Sequence, residues 1–324
     1  MLKTLKKQNI ADVFFLLGVD LKWIDSVIEY IENPRLHIVL LFGESARYKS
    51  EVSHINFDNH SAIKEIIEML CSKNRTRPAF FGVQKNDTAD IDKANTFAMQ
   101  YSSDNIYHVD ADIEECFQRL YNRISEYDSI ICSNDIIAVY LCKRCRECGI
   151  DIPKQLYVVG NGGLLISDSV SPRLTTVSYN WESMADIALL TAQGIINATN
   201  LSSFDIKIKM HIVDRESTDG TDEGKISESL YYTTYRNVYS HSGEDIDENI
   251  REIEKIDSFL SSLSVLDKSI VRMLINDHTY ENISNQLFIT INTTRYHVKK
   301  LYKFLEIHTV QELKEIVNKY KVVL

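Results

Sequence analysis

Short apolar runs alternate with helical segments through the first half of the chain, and this alternation constrains the fold more than any other feature. The runs are continuously apolar, as in Ser-Ile-Ile-Cys at residues 129–132, rather than alternately polar. Such runs are typical of strands buried on both faces of a parallel sheet. The candidate strands lie at residues 12–17, 37–42, 52–55, 78–83, 106–109, 129–132 and 156–159. Helical patterns of about ten to fifteen residues separate most of them, which predicts right-handed βαβ units and an α/β fold.

Length and composition limit what else the chain can contain. At 324 residues and 44% hydrophobic content it can bury a full core, and we expect two or three domains. No run of about eighteen apolar residues occurs, and no long apolar stretch follows Lys6 and Lys7, so neither a membrane span nor a secretory signal is predicted. The six cysteines lack the spaced framework of a secreted protein. We therefore expect a cytoplasmic protein without a membrane partner.

A basic amphipathic helix is predicted near the carboxyl terminus. Thr290 is a good N-cap residue, and apolar side chains recur at helical spacing after it. The whole chain carries a net charge of −10, whereas residues 255–324 contain ten Lys and Arg against seven Asp and Glu. The cationic side chains of the helix are Arg295, Lys299, Lys300 and Lys303. A basic helix in an otherwise acidic chain favours a polyanionic partner.

Helices at residues 280–287 and 290–305, joined by Phe288 and Ile289, are typical of a helix-turn-helix. Residues 263–317 resemble the DNA-binding domain of the LuxR-type response regulators. The resemblance rests on Thr290-x-x-Thr293-Thr294-Arg295-x-His297 and on the apolar frame around it. Two places depart from the family pattern: Leu266-Asp267 replace an Arg-Glu pair, and Asp277-His278 stand in the glycine region.

This resemblance implies how the second helix of the pair would contact double-stranded DNA. Arg295, Tyr296 and Lys299 would face base edges, with Arg295 the expected guanine reader because its guanidinium can bridge O6 and N7. The residues expected at phosphates are Asn292, Thr293, Lys300 and Lys303. His297 is expected to pack or cap rather than to contact DNA. Binding is expected to involve a homodimer on paired half-sites.

Six local patterns in the first two thirds of the chain occur in the order and spacing of the effector-binding domain of the lactose-repressor family. They include Asn-Phe-Asp-Asn at residues 56–59 and Ser-Asn-Asp at residues 133–135. The patterns lie at residues 56–62, 77–82, 129–138, 149–160, 172–177 and 213–218. The resemblance covers about residues 8–219. It implies two α/β lobes of the periplasmic-binding-protein type, three crossing strands and an effector in the cleft.

The two resemblances predict a sensor domain at residues 1–219, an acidic linker at 220–246 and an all-α helix-turn-helix domain at 247–324. Lobe one would hold residues 1–55 and about 178–205, and lobe two residues 56–177 and about 206–216. Residues 230–235 within the linker could form a strand. Compared with the family, two strands, two helices and the amino-terminal DNA-binding domain are missing. Either the chain is a truncated form of a longer protein, or a partner subunit covers the exposed face of lobe one.

Four polar residues are candidates for the effector site. Ligands of open parallel sheets sit at the carboxyl ends of strands, where Asn134 and Asp135 follow a candidate strand. Asn134 matches the family's effector-contacting asparagine, while Asp135 is either a ligand contact or the helix N-cap. Lys93 stands at the place of the family's cleft arginine, and Asn161 where sugar-binding relatives carry an aromatic residue followed by two aspartates. Because that carboxylate is absent, a sugar is only one effector to consider, beside an interaction domain without a ligand.

Neither catalysis nor metal binding is predicted. Cys142, Cys145 and Cys148 have an iron–sulfur-like spacing, but on a helix they would spread around the cylinder, and no fourth cysteine follows. The sequence contains no His-x-x-x-His pair, phosphate-binding glycine loop or Gly-x-Ser-x-Gly elbow. We therefore expect a DNA-binding transcriptional regulator with effector or partner sensing and no cofactor. The alternative is a ligand-binding or protein-interaction module without DNA binding.

Overall fold

The computed structural model describes residues 13–18, 21–31, 36–41, 52–85, 87–110, 112–197, 201, 203–221 and 247–324. The first part of the chain contains β1 (Val13–Leu17), α1 (Leu21–Tyr30), β2 (His37–Leu41), β3 (Val52–Phe57), α2 (Asn59–Ser72), β4 (Pro78–Gln84), α3 (Thr88–Ala98), β5 (Ile106–Val109), α4 (Ile113–Tyr121), β6 (Ser129–Cys132), α5 (Asp135–Glu147), β7 (Tyr157–Val159), α6 (Leu165–Asp168), β8 (Thr176–Ser178), α7 (Trp181–Asn197), β9 (Asp205–Ile208) and β10 (His211–Val213). The last part contains α8 (Glu248–Ser262), α9 (Val265–Ile275), α10 (Tyr280–Leu287), α11 (Ile291–Leu305) and α12 (Val310–Tyr320). The strand expected at residues 230–235 and most of the expected linker lie outside the described residues.

Lobe one is built on a parallel sheet with the strand order β1-β2-β3-β9. One face is packed by α1, where Ile24 and Val27 contact Leu16 and Leu40 in a separate buried cluster. β9 pairs with β3 from His54 opposite Asp205 to Phe57 opposite Ile208. Residues 206–208, expected in lobe two, therefore belong to lobe one, because their backbone continues its sheet.

Lobe two is a second parallel sheet with the order β5-β4-β6-β7. Its central strands are buried on both faces, and Phe80, Phe81, Ile130 and Ile131 have no solvent exposure. The predicted α/β architecture with parallel sheets is confirmed. The chain passes between the lobes after β3, β8 and β9, and β8 and β10 pair as a two-stranded antiparallel ribbon.

An acidic or amide side chain begins each long helix of lobe two. Asp58, Asp87 and Asp112 accept a backbone hydrogen bond from the third residue beyond them, which satisfies one of the free N–H groups at a helix start. Asn134 caps α5 in the same way, so the N-cap reading of Asp135 is wrong. α4 ends at Tyr121, and the chain continues into a 3-10 helix at Ile124–Glu126.

The five carboxy-terminal helices form one packed unit. Ser264 and Thr309 begin α9 and α12 with reciprocal capping boxes to Asp267 and Glu312. The apolar faces meet in a core that includes the list Ile253, Ile256, Phe259, Leu260, Ile270, Val271, Leu274, Ile283, Val298, Leu301, Leu305 and Leu313. Among the described residues, no helix has the length and apolar content that a membrane span requires.

This helical unit packs on lobe two. α8 lies against α5 and α6, and α12 also contacts α5. Beyond α12, Val322 forms an antiparallel bridge with Val170. The guanidinium of Arg146 on α5 donates to the carbonyl oxygen of Ser171 at 3.1 Å and to that of Lys319 at 3.5 Å. The sequence patterns predicted both domains but not this contact between them.

Candidate functional site

Helix α11 has one buried face and one exposed cationic face. The hydroxyl of Thr290 accepts the N–H of Thr293 at 3.1 Å, as the sequence predicted for an N-cap. Thr294 is fully buried, and its hydroxyl lies 2.8 Å from that of Ser284 on α10. This contact fixes the angle between α10 and α11, so the opposite face of α11 projects into solvent at a defined orientation.

The exposed face carries most of the side chains that the sequence assigned to DNA. Arg295, Lys299 and Lys303 are exposed and form no ion pair with any residue that the structure describes. Tyr296 between them is 67% exposed. Cations without internal partners keep their full charge available for an external anion. The structure therefore brings three cations and one aromatic ring together on a single helix face.

The remaining predicted DNA contacts sit at the edges of this face. Asn292 is exposed in the first turn, whereas the Thr293 hydroxyl lies 2.9 Å from that of Thr290 and takes part in the cap. Lys300 is exposed, and its Nζ lies 3.8 Å from a carboxylate oxygen of Asp267. This carboxylate partly balances the charge of Lys300, so Lys300 is a weaker anion contact than Lys299.

His297 and Asp267 form a contact across helices that the sequence reasoning half anticipated. His297 Nδ1 lies 2.7 Å from Asp267 Oδ1, and Asp267 is 1% exposed. Burial opposes ionisation of Asp267, but hydrogen bonds with Ser264 and His297 outweigh it and lower the pKa of the carboxyl. His297 thus holds α11 against α9. The Ser-x-x-Asp pattern at residue 264 was the signal for this anchor, because a capping box also orients the carboxylate.

The turn between α10 and α11 exposes an aromatic side chain. Phe288 adopts a left-handed backbone conformation with φ of 54° and is 95% exposed. Positive φ is uncommon outside glycine, and here it ends α10 so that α11 can begin after Thr290.

In the sensor, Lys93 is buried and not open to solvent. It is 3% exposed, its Nζ lies 2.9 Å from Asp90 Oδ1, and it donates to the carbonyl oxygen of Ser133 at the end of β6. Burial opposes the charge, but Asp90 and Tyr179 outweigh it and raise the pKa of Lys93. Lys93 therefore stays charged and organises the carboxyl end of β6, where the sequence placed it as an anion contact.

Asn134 and Asp135, at the start of α5, have different roles. Asn134 is half-buried, and its Oδ1 accepts the N–H of Ile137 at 2.9 Å. Asp135 is fully buried, and its carboxylate accepts the Thr176 hydroxyl and the Leu164 N–H, both at 2.6 Å. Burial raises the pKa of Asp135 to about 6. Asp135 is thus an internal connector, whereas Asn134 lies at the strand end where a ligand would approach.

Asn161 lies beside an aromatic cluster that the sequence reasoning missed. Its Oδ1 accepts the Tyr179 hydroxyl at 2.7 Å, and its Nδ2 has no hydrogen-bond partner among the described residues although it is buried. Tyr179 stacks on Phe57 at 4.7 Å, and Trp181 meets Phe57 edge-on at 5.1 Å. Phe57 lies at one chain crossing between the lobes, and Tyr179 and Trp181 lie at another. We call these three rings the aromatic floor. An unsatisfied amide beside aromatic rings is suited to a small polar ligand.

The cysteine cluster is part of the core of lobe two. Cys142 and Cys145 are buried, and Cys148 is half-buried. Burial raises the pKa of Cys142 to about 12, which keeps the thiol protonated at neutral pH. No group of metal-ligating side chains was found among the described residues.

The α/β part of the chain is similar to a known domain family and to solved structures of transcriptional regulators. Residues 67–218 match the model of the periplasmic binding protein-like domain family. A transcriptional regulator CelR–cellobiose complex has a TM-score of 0.55 and 18% identity, covering 67% of this chain and 68% of that chain. A transcription regulator from Lactobacillus plantarum has a TM-score of 0.56 and 16% identity, covering 67% and 84%. At these identities the likeness concerns the fold. Residues 67–218 thus resemble a periplasmic binding protein-like domain, and the structural neighbours support the same fold for the α/β part.

Curated relatives of the chain are transcriptional regulators. RegA from Clostridium saccharobutylicum is 21% identical over 223 residues, which are 65% of this chain and 66% of the relative. RegA from Clostridium acetobutylicum is 30% identical over 90 residues, 28% of this chain and 27% of the relative. GalR from Escherichia coli K12 is 33% identical over 72 residues, 22% and 21% of the two chains. The chain thus spans between about a fifth and two thirds of the length of these relatives.

Proposed function

We propose that this protein is a sequence-specific DNA-binding transcriptional regulator whose α/β domain senses an effector or a partner. The observation that carries the proposal is the cationic face of α11, which Ser284 and Asp267 hold from one side and on which Arg295, Lys299 and Lys303 form no ion pair with the described residues. The relatives in the preceding comparison support the regulatory class. Homologues of this class are not enzymes, and the proposal involves no catalytic step.

The carboxy-terminal domain, residues 247–324, is proposed as a LuxR-type helix-turn-helix, with α10 and α11 as the pair. Arg295, Tyr296 and Lys299 would contact base edges, since they share the exposed face of α11. The proposed phosphate contacts are Asn292, Thr293, Lys300 and Lys303. A homodimer would place two copies of α11 in successive major grooves of a two-fold symmetric site. His297 has the supporting role of holding α11 in place.

The effector site is proposed at the carboxyl ends of the lobe-two strands, with Asn134 and Asn161 as contacts. Asn161 offers an unsatisfied amide, and Asn134 lies beside it at the start of α5. Lys93 and Asp135 would shape the site without contacting the ligand directly, because both are buried in internal contacts. One structural neighbour is a cellobiose complex. A sugar is therefore one ligand class to test. Residues 161–163 are Asn-Gly-Gly, so no carboxylate stands directly after Gly160 to bind the hydroxyl groups of a sugar.

Gel-shift titration of the full chain on genomic fragments, at several salt concentrations, tests DNA binding. Affinity should fall steeply with salt as phosphate contacts are screened. Arg295→Ala should weaken binding to the preferred fragment by about 1–3 kcal/mol. Arg251→Ala is the matched control, because Arg251 is an exposed arginine on α8 rather than on α11. Salt-independent binding, or equal behaviour of both variants, would contradict the proposal and favour a ligand-binding or interaction module.

Thermal-shift measurement against a metabolite panel tests the sensor separately. A ligand at about one hundred times its Kd should stabilise the domain by about 2.7 kcal/mol. Asn161→Ala should abolish the shift produced by a hit. A panel without any hit, with DNA binding intact, would leave a protein partner as the proposed input.

A further inference from the structure

Residues 161–171 connect the proposed effector site to the helical domain over a short distance along the chain. They begin at Asn161, continue through two glycines and form the four-residue helix α6. Leu164 precedes α6 and provides no side-chain cap, so the first N–H groups of α6 need acceptors from elsewhere. In a buried segment such acceptors are required rather than optional.

Two carboxylates from different domains supply these acceptors. Asp135 of α5 accepts the Leu164 N–H at 2.6 Å, and Asp257 of α8 accepts the Ile166 N–H at 2.9 Å. All four residues are buried. Position 160 requires glycine for this arrangement, because the Cβ of any other residue would lie 2.1 Å from Asp135 Oδ1 and clash with it. We call Asp135, Asp257 and the α6 start that they hold the carboxylate clamp.

The clamp is connected to the cleft at one end. Asp135 directly follows Asn134, and the Asp135 N–H donates to the carbonyl oxygen of Asn161 at 3.0 Å. Asn161 is the residue whose side chain holds the Tyr179 hydroxyl beside the aromatic floor. A ligand that moved Asn161 would therefore displace the backbone on which both clamp hydrogen bonds depend.

The clamp is connected to α11 at the other end. Asp257 lies on α8, which packs on α11 through Phe259 and Phe304, with ring centroids 5.9 Å apart. Lys255, also on α8, forms an ion pair with Glu306 at 2.6 Å, and Glu306 is the C-cap of α11. A shift of α8 would therefore displace the side chains of α11 that contact it.

The far end of the same segment is fastened by the last residues of the chain. The N–H of Ser171 donates to the Lys321 carbonyl oxygen at 3.0 Å, and the N–H of Val323 donates to that of Ser169 at 2.7 Å. The helical domain thus contacts this segment at Ile166 and again at Ser169 and Ser171. A segment held at several points in its second half is suited to carry a displacement from Asn161 rather than absorb it.

We propose that the carboxylate clamp positions the basic helix α11 according to the state of the interlobe cleft, with residues 161–171 as the transmitting element and Asp257 as its contact on the helical domain. The inference rests on the proposed function for the role of α11 at DNA. It adds the route by which sensing reaches that helix. Asp257 and Asp135 are positioning residues in this scheme, because neither contacts effector or DNA.

A double-mutant cycle in the full chain tests this route without a known effector. Asn161→Ala perturbs the cleft end, Asp257→Ala breaks the clamp, and amide hydrogen exchange in α11 is followed by mass spectrometry without DNA. Asn161→Ala should change exchange in residues 291–305 by severalfold in the wild-type background. In the Asp257→Ala background the same substitution should change it by less than twofold, because the connection is cut.

Two further variants keep the result interpretable. Asp257→Asn retains an acceptor for the Ile166 N–H and should restore the response of α11, which separates loss of the clamp from loss of folding. Glu248→Ala, an exposed acid on the same helix, should leave the response unchanged. Equal responses in the wild-type and Asp257→Ala backgrounds would overturn the inference.

DNA affinity, measured on the same variants, separates this inference from the proposed function. If Asn161→Ala alters affinity in the wild type but not in Asp257→Ala, both stand. If the exchange response is cut by Asp257→Ala but no variant binds DNA, the proposed function fails while the route to α11 stands. If DNA binding is normal and the exchange effects of the two substitutions simply add, the route fails and the proposed function stands.

Discussion

Asp257 should make the stability of the folded chain fall as the pH rises through neutrality, and Asp257→Asn should remove that dependence. Burial raises the pKa of Asp257 to about 7 from an ordinary value of 3.8, although the Ile166 N–H acts in the opposite direction. The charged groups that face it are Asp135 across the interface and Glu254 on its own helix, and both add to the rise. The folded state therefore holds the proton more tightly than the unfolded chain.

The sign and size follow from this difference. A carboxyl with a raised pKa stabilises the folded state at low pH, and the contribution is lost as pH rises towards and through the folded-state value. With values of 3.8 and about 7, the loss between pH 6 and pH 8.5 is about 1.4 kcal/mol. Titrating groups that do not interact with Asp257 change the stability of wild type and variant alike, so the difference between them reports Asp257 together with the two carboxyls that face it, Asp135 and Glu254.

Urea denaturation followed by circular dichroism at several pH values measures this difference. The range from pH 6 to pH 8.5 lies above the isoelectric point near 5.4, where the chain carries net negative charge. Relative to wild type, Asp257→Asn should gain about 1.4 kcal/mol across that range. A difference that is constant with pH would refute the reasoning, because it would mean that Asp257 is ionised or solvated throughout.

Three other substitutions test the anchors of the fold and of α11. Thr290→Ala removes the acceptor for the Thr293 N–H and should destabilise the helical domain by about 1 kcal/mol in urea denaturation, with Thr290→Ser as the conservative control. Asp267→Ala removes the capping box of α9 and the contact with His297 and should cost roughly 2 kcal/mol, and unchanged chemical shifts of the His297 ring by NMR would argue against that contact. Phe81→Ala, at a fully buried site in β4, should lower the free energy of unfolding by about 3–5 kcal/mol. The thermal midpoint should therefore fall far more than it does for Phe288→Ala at the exposed turn.

Local chemistry made much of the fold readable from the sequence. Strands buried on both faces, such as β6, must be continuously apolar, and the helix starts need hydroxyl, amide or carboxylate caps. Both signals are contained in a few neighbouring residues. Thr290 was therefore found as an N-cap, and residues 129–132 as a strand with the observed bounds. The cationic face of α11 was equally legible, since helical spacing alone brings Arg295 and Lys299 together.

Contacts between distant parts of the chain were not readable in this way. β9 joined the sheet of lobe one because its backbone pairs with β3, and strand pairing depends on tertiary register rather than on the composition of residues 205–208. Asp135 had the same local signature as a ligand contact or a cap, yet its partners come from Leu164 and Thr176. Likewise, nothing near Asp257 in the sequence indicated that its acceptor role is toward Ile166, 91 positions earlier.

Because the helical domain is attached to lobe two, a rotation of the lobes would change the position of the basic helix relative to lobe one. The hydrogen bonds at residues 166–171 and the packing of α8 on α5 attach the helical domain, with its basic helix, to lobe two, and we call the two together the arm. Rotation at the three chain crossings would swing that arm relative to lobe one. Two subunits joined through lobe one would change the separation of their basic helices on rotation, whereas two subunits joined through lobe two would keep it constant. The surface through which two subunits join would therefore decide whether rotation at these crossings changes DNA binding.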